Sequence, residues 1–166
     1  MEDTNRIIYL SSDLNLNNGM KIVDNLLSLS EEDEKAPIVL FISTYGGRVD
    51  SCLAIIDTMR KIPNPVYTVG YGQVMSAGGF ILSSGEKGNR SMAPNARLML
   101  HQPAGGTVID SNGVDVEVGS IYKSTFESLM AENTGRTLEY IRDITVNDLY
   151  MNSAEALELG AIDTVL

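Results

Sequence analysis

Residues 65–85 read PVYTVGYGQVMSAGGFILSSG, and this stretch decides the fold. Its first part, PVYTVGYG (65–72), is a β-branched run typical of a strand, and the rest passes through small residues into an apolar helix. Ser76 lies at the junction between the two. A serine at such a junction commonly caps the helix, so the local pattern fits both a capping residue and a reactive hydroxyl.

Alternating strands and helices continue on both sides of this stretch. Apolar residues recur at helical spacing around Ile22 and Leu26, and again around Leu53 and Ile56. Strands separated by helices of this length indicate βαβ crossovers and a mainly parallel sheet. The sequence therefore predicts an α/β fold. The other predicted strands are RIIYLS (6–11), PIVLFIST (37–44) and ARLMLHQ (96–102).

The pattern changes after His101. A segment rich in glycine and β-branched residues leads into a long amphipathic helix that ends near the turn at 133–135. Such an arm and helix are typical of a projection used in self-assembly. A short helix opened by Asn152 or Ser153 and stopped by Gly160 follows, and then a β-like segment at 161–166. With no repeats and no low-complexity linker, we expect a single domain over residues 1–166.

Composition limits the classes of partner and compartment. The chain has 12 Lys and Arg against 22 Asp and Glu, a formal charge of -10, which argues against nucleic acid or an anionic membrane as the main partner. Cys52 is the single cysteine, so neither an internal disulfide nor a cysteine metal site can form. With no signal-peptide pattern and no run long enough to span a membrane, we expect a cytoplasmic protein.

The chain contains one histidine, His101, at the predicted carboxyl end of a strand. This edge of a parallel sheet is where α/β proteins usually place their sites, although a lone histidine is more often structural. Ser76 lies at a similar strand end 25 residues earlier, so two neighbouring crossovers can present its hydroxyl to the imidazole. A serine hydroxyl is a poor nucleophile unless an imidazole accepts its proton.

Two further elements of serine chemistry have candidates in the sequence. Helix amides after Ser76 and the amides of Gly46 and Gly47 can stabilise an oxyanion, although a Gly-Gly pair is also common in ordinary turns. The carboxylate that would orient the imidazole is left open by local pattern, and the candidates are Asp143, Asp148 and Asp163. No stretch matches a phosphate-binding loop, so we expect no ATP bound by this chain. We expect no metal or other cofactor either.

Three segments together resemble the ClpP family of serine peptidases, the proteolytic subunit of the Clp protease, over nearly the whole chain. One is GYGQVMSAGG, similar to the family's G-Q-A-A-S-M-G, which implies that Ser76 is the nucleophile. Another is ARLMLHQPAGG, similar to S-R-x-M-I-H-Q-P-x-G-G, which implies that His101 is the general base. The tail aligns without a gap between Thr134 and Gly160, which implies that the orienting carboxylate is Asp148.

The stretch GGRV is similar to the family's oxyanion loop, which implies that Gly47 and Ala77 donate the two oxyanion N–H groups. Two positions differ from the family's pattern. Tyr45 stands where the family has proline, and Ala77 stands where the family has methionine after the nucleophile. Both are close to the predicted cleavage site, so preference for the side chain at the cleaved bond is not carried over from the family.

The resemblance implies a ClpP/crotonase-like βαβ superhelix with a head at about 1–103 and 135–166 and a handle at about 104–134. It also implies a homo-oligomer, with heptameric rings stacked into a tetradecamer whose chamber admits unfolded polypeptides and short peptides. A partner AAA+ unfoldase would feed that chamber. One alternative is a non-catalytic structural subunit of such a ring. Another is a relative of enoyl-CoA hydratase, for which the chain is short and lacks an obvious acid pair.

Overall fold

The strand predicted at the start of residues 65–85 is β3 (Val66–Met75), the central strand of the main sheet. The structure, a computed structural model, describes residues 6–103, 107–109 and 115–166. In that part of the chain β3 pairs in parallel with β2 (Ile38–Thr44) on one side. On its other side it pairs in parallel with β4 (Arg90–Met92) and then with β5 (Arg97–Leu100). Two different strands therefore border the two halves of β3.

The remaining strands extend the sheet and add one separate antiparallel pair. β1 (Ile7–Leu10) pairs in parallel with β2, and β9 (Thr164–Val165) pairs in parallel with β4. β8 (Leu149–Asn152) pairs with β5 and is antiparallel to it. β6 (Thr107–Ile109) and β7 (Asp115–Glu117) form a separate antiparallel pair. The sheet is therefore mainly parallel, as the sequence predicts, and β8 is the antiparallel exception.

Six helices lie between the strands in the described residues, and several have clear sequence boundaries. Asn15 caps the first helix through a reciprocal capping box with Asn18. Asn152 caps the last helix, and Gly160 ends it at a φ of +89°, as the sequence predicts. The helices are α1 (Leu16–Glu32), α2 (Val49–Lys61), α3 (Ala77–Ser83), α4 (Val118–Thr134), α5 (Leu138–Ile144) and α6 (Ser153–Leu159).

The core lies where these helices pack on the sheet. Side chains of β2 alternate between buried and less buried positions, as expected for a strand with one face on the core. Helix α3 is buried along its whole length and packs on β2, β3, β5 and α4. Cys52 on α2 is fully buried beneath α3, and its Sγ lies 3.5 Å from the carbonyl oxygen of Ala77. The start of α3 is therefore held by the core.

A buried arginine ties the sheet to the end of α4. Arg90 on β4 donates from Nη1 to the carbonyl oxygens of Ser83 and Asn133, at 3.0 and 2.8 Å. Its Nε and Nη2 donate to the carboxylate of Asp163, at 2.8 and 2.6 Å. These hydrogen bonds from Arg90 hold the pKa of Asp163 below its usual value. The network thus connects β4 and the segment before β9 with α3 and α4.

The predicted α/β fold with its mainly parallel sheet is confirmed, with corrections to three strands of the main sheet; β6 and β7 of the separate pair are also not among the predicted strands. β3 runs three residues past the predicted end at Gly72 and reaches Met75. β4 and β8 have no counterpart among the predicted strands. Both are short, and each depends on a partner strand distant in sequence.

The predicted arm and long helix are described in part. Residues 104–106 and 110–114 of the arm lie outside the described residues, whereas α4 confirms the long helix and its end near residue 134. The division into a head and a handle, and the single domain, stay predictions. Among the helices described, none has both the length and the apolar character required to cross a membrane.

Candidate active site

Parallel pairing of β3 with β5 brings the serine and histidine candidates together. The register pairs Met75 with Met99, the last but one residue of β5. The backbone N–H of Ser76 continues this ladder and donates to the carbonyl oxygen of Met99 at 2.8 Å. Ser76 and His101 therefore leave adjacent strands at the same edge of the sheet.

Antiparallel pairing of β5 with β8 brings the carboxylate to the same edge. The register pairs Leu100 with Leu149, so that the next residue of each chain segment, His101 and Asp148, face each other just beyond the ladder. Three strand ends thus converge, and each contributes one of the predicted residues. The convergence follows from main-chain pairing between segments that are far apart in sequence.

The Ser76 hydroxyl contacts the imidazole directly. Its Oγ lies 2.7 Å from Nε2 of His101, a hydrogen-bonding distance. Ser76 occupies the N-cap position of α3 but makes no side-chain capping hydrogen bond. Its φ of +52° and ψ of -118° are uncommon for a residue with a side chain, and it is the one non-glycine residue with positive φ in the described part of the chain. The capping interpretation is therefore wrong for this serine.

The His101–Asp148 contact is looser than the Ser76–His101 contact. Nδ1 of His101 and Oδ1 of Asp148 are 4.0 Å apart, too far for a hydrogen bond. The side chain of His101 is 24% exposed and that of Asp148 is 58% exposed. Of the other two candidates, Asp163 is bonded to Arg90, and Asp143 is an exposed residue of α5. Asp148 is the candidate that the structure places beside the imidazole.

Two glycines form the wall opposite the serine. Gly46 and Gly47 have φ values of +107° and +140°, which residues with side chains rarely adopt. A Cβ on Gly46 would lie 2.7 Å from Cβ of Ser76, and one on Gly47 would overlap the backbone of Leu14. Leu14 holds this loop by accepting a hydrogen bond from the N–H of Arg48 and donating one to the carbonyl of Gly46, at 2.9 and 2.6 Å. Glycine at position 46 lets the loop approach the serine, and glycine at position 47 lets it pack on Leu14.

A small cavity of about 40 Å³ lies between these groups. Ser76 and His101 line it, together with Gly47 and Ala77. Its apolar side includes Phe80 and Phe126, whose ring centroids are 4.3 Å apart. A helix start leaves its first N–H groups without intrahelical acceptors, so the amide of Ala77 is free to act on a ligand oxygen.

This set of groups is the one that acyl transfer by serine requires: a hydroxyl bonded to an imidazole, a nearby carboxylate and backbone amides around a cavity. The Clp protease family model matches residues 3–166. The chain belongs to the Clp protease family. Membership identifies a peptidase fold and a peptidase role, and it supports assembly into oligomers that work with ATPase partners.

Both departures from the motifs of the Clp protease family occur at the site. Tyr45 precedes the two glycines and is 71% exposed, so the residue in place of proline points to solvent. Ala77 lines the cavity directly.

One charged residue close to the site is not among the sequence candidates. Glu127 on α4 is 4% exposed and lines a second cavity, which His101 also lines. The sequence signal available for it is its place next to Phe126 in the apolar stripe of the helix, together with Lys123 four residues earlier. Within the described residues, no group of three or more His, Cys, Asp or Glu side chains could hold a metal ion.

Proposed function

We propose that this member of the Clp protease family is a serine endopeptidase with Ser76 as nucleophile, His101 as general base and Asp148 as the orienting carboxylate. The observation that carries the proposal is the 2.7 Å contact between Ser76 Oγ and His101 Nε2. A backbone at φ +52° supports it, because a strained strand-to-helix turn of this kind holds a nucleophilic serine exposed above the sheet.

The mechanism follows from the positions of these groups. Ser76 Oγ forms a bond to the peptide carbonyl carbon while its proton moves to Nε2 of His101. The carbonyl oxygen becomes an oxyanion, which accepts hydrogen bonds from the N–H groups of Gly47 and Ala77. His101 then protonates the leaving amine as the C–N bond breaks. Water hydrolyses the acyl-enzyme by the same sequence of proton transfers.

Asp148 has to move closer to His101 for this cycle. A hydrogen bond from the imidazole Nδ1–H requires the present 4.0 Å separation to shorten by about 1 Å. Asp148 is exposed and precedes a short strand, so a small displacement of its side chain achieves this without disturbing the core. The imidazolium formed during attack attracts the carboxylate and favours that displacement.

The wider assembly is part of the proposal and rests on family membership. We infer stacked heptameric rings that enclose an inner chamber, unfolded polypeptides and short peptides as substrates, and an AAA+ unfoldase that delivers them. The chain itself requires no cofactor for peptide hydrolysis. A single buried thiol suits the reducing cytoplasm, where we place the protein.

A second candidate function is that of a structural ring subunit without its own activity. The 4.0 Å gap between His101 and Asp148 favours it, because an imidazole without its carboxylate is a weaker base. The two functions differ in whether Ser76 reacts. A subunit that only builds the ring has no need of an activated hydroxyl.

The test is intact mass after incubation with a fluorophosphonate, on protein whose assembly state has been measured by native mass spectrometry. The parent chain should gain one adduct, which peptide mapping places on Ser76. Ser76→Ala and His101→Ala should gain none, while Ser28→Ala, an exposed serine of α1, should react like the parent. An assembled parent that forms no adduct would support the structural subunit instead.

A further inference from the structure

Helix α4 contains a carboxylate that the proposed mechanism does not use. The side chain of Glu127 is 4% exposed. Its Oε2 accepts a hydrogen bond from Nε of Arg142 on α5 at 2.8 Å. Its Oε1 is buried without a hydrogen-bond partner among the described residues, and the nearest cation is Nζ of Lys123 at 4.0 Å. Burying half of a carboxylate without a hydrogen bond is costly, so this oxygen calls for an explanation.

The position of Glu127 relative to His101 explains why its Oε1 is buried without a hydrogen bond. Glu127 and His101 line the same cavity of about 10 Å³, together with Gln102 and Thr145. That volume is close to the smallest that holds one water molecule, and its walls carry several polar groups. A water molecule there would donate to Oε1 of Glu127 and would connect the carboxylate with the side of the site occupied by His101.

Because Glu127 is buried, its charge is screened less by solvent than the charge of Asp148. Asp148 is 58% exposed, so solvent and salt screen its charge. Glu127 is surrounded by protein, where the effective dielectric constant is lower and a charge acts over a longer distance. A buried negative charge beside an imidazole favours the imidazolium, which is the form that His101 takes during attack.

We propose that Glu127 is a second acidic residue of the site, a positioning residue that stabilises the protonated form of His101 across the cavity between them. The inference rests on the proposed function of His101 as general base. Two charged residues line the cavity together with His101, Glu127 and Lys123 on α4, and Asp148 before β8 lies 4.0 Å from its Nδ1. Arg142 on α5 contacts Glu127. Arg142 and Lys123 offset part of the negative charge of Glu127. Removing Glu127 or one of these cations should therefore shift the titration of His101 in opposite directions.

The test uses the fact that His101 is the only histidine of the chain. In protein labelled with ¹³C at histidine Cε1, one resonance reports its titration without any need for turnover. Glu127→Gln should move the titration midpoint of that resonance to lower pH, because a favourable charge is lost. Arg142→Gln should raise it, because a cation that offsets Glu127 is removed. Glu132→Gln is the matched control, since Glu132 is an exposed carboxylate of the same helix that pairs with Arg60.

A purely structural tie between α4 and α5 predicts a different outcome. Glu127→Gln and Arg142→Gln break the same ion pair, so a structural role would change the titration in the same direction in both variants or leave it unchanged. Either result would overturn the inference. If Glu127→Gln fails to fold, Arg142→Gln decides alone: a raised midpoint supports the role, and an unchanged or lowered midpoint contradicts it.

Activity gives a second reading that separates this inference from the proposed function. The acidic limb of the pH profile of kcat/KM should move to lower pH in Glu127→Gln by the shift seen in the titration, with little change in KM. If the parent forms no adduct at Ser76 but the titration responds with the predicted signs, the peptidase proposal fails and the charge relationship stands. If the adduct forms and the titration does not respond, only the role of Glu127 fails.

Discussion

His101 and Asp148 face each other one residue beyond the last paired residues of β5 and β8, with Nδ1 and Oδ1 4.0 Å apart. Asp148→Ala should therefore lower kcat/KM for a short fluorogenic peptide by about 100-fold, because the imidazole loses its orienting charge but keeps its contact with Ser76. Asp143→Ala is the control and should stay within about twofold of the parent, since Asp143 is exposed on α5. Equal losses in both variants would mean that Asp148 has no special role.

The backbone of Ser76 should cost the protein stability. Its φ of +52° is unfavourable for serine and alanine but not for glycine. Ser76→Gly should therefore be more stable than Ser76→Ala by about 1 kcal/mol, even though glycine raises the entropy of the unfolded chain. Denaturant unfolding of the two inactive variants measures the difference. A more stable alanine variant would argue against a strained backbone at this residue.

Gly46 should be intolerant of any side chain. A Cβ at this position would lie 2.7 Å from Cβ of Ser76, on a backbone with φ +107°. Gly46→Ala should cost about 2 to 5 kcal/mol and abolish labelling of Ser76, because the two residues cannot both keep their places. Gly88→Ala is the matched control: its φ is +89°, and no atom lies within 4 Å of the added Cβ. It should cost only about 1 kcal/mol and leave labelling intact.

The Arg90–Asp163 pair should make stability depend on pH in acid. Because Arg90 lowers the pKa of Asp163 in the folded protein, the ionised pair stabilises the fold above the ordinary carboxyl pKa, 3.8. Stability is lost as the pH falls through the lower folded value. Asp163→Asn should thus cost about 3 kcal/mol near pH 7, where buried Arg90 loses its partner.

The difference between Asp163→Asn and the parent should shrink below about pH 4, where the unfolded chain begins to bind a proton that Asp163 of the folded parent takes up only at lower pH. Chemical denaturation at several pH values measures it. Glu158→Gln, at an exposed position of α6, provides the comparison for a lost surface charge and should show little change at any pH. A penalty for Asp163→Asn that stays constant down to pH 2 would contradict the role of the ionised pair.

The local sequence pattern was sufficient to predict the strands and helices whose apolar residues recur at regular spacing. Buried alternation in β2 and the capped, amphipathic helices follow from the spacing of apolar residues and from Asn152 and Gly160. β8 was missed because it is four residues long and partly exposed, so no run of apolar residues distinguishes it from a loop. Its identity as a strand comes from β5, about fifty residues away in the chain.

The site residues likewise divide into those predictable from local pattern and those that depend on pairing or packing between distant segments. Ser76 and His101 were predictable because each follows a recognisable strand. The choice of Asp148 over Asp143 and Asp163 required either a family motif or the pairing of β5 with β8, since all three are plain acidic residues in the sequence. Glu127 was not predictable, because its burial depends on where α5 packs against α4.

The pairing of β5 with β8 also separates two kinds of genetic change. A codon exchange along β8, for instance at Tyr150, which is 62% exposed, alters one side chain and leaves the ladder in place. Loss or gain of a single codon within β5 shifts every later residue of that strand, and His101 just after it, to the opposite face. The imidazole would then point away from the carboxylate although every residue of the site is still encoded. Substitutions in these two strands should therefore be tolerated more readily than insertions or deletions of single residues.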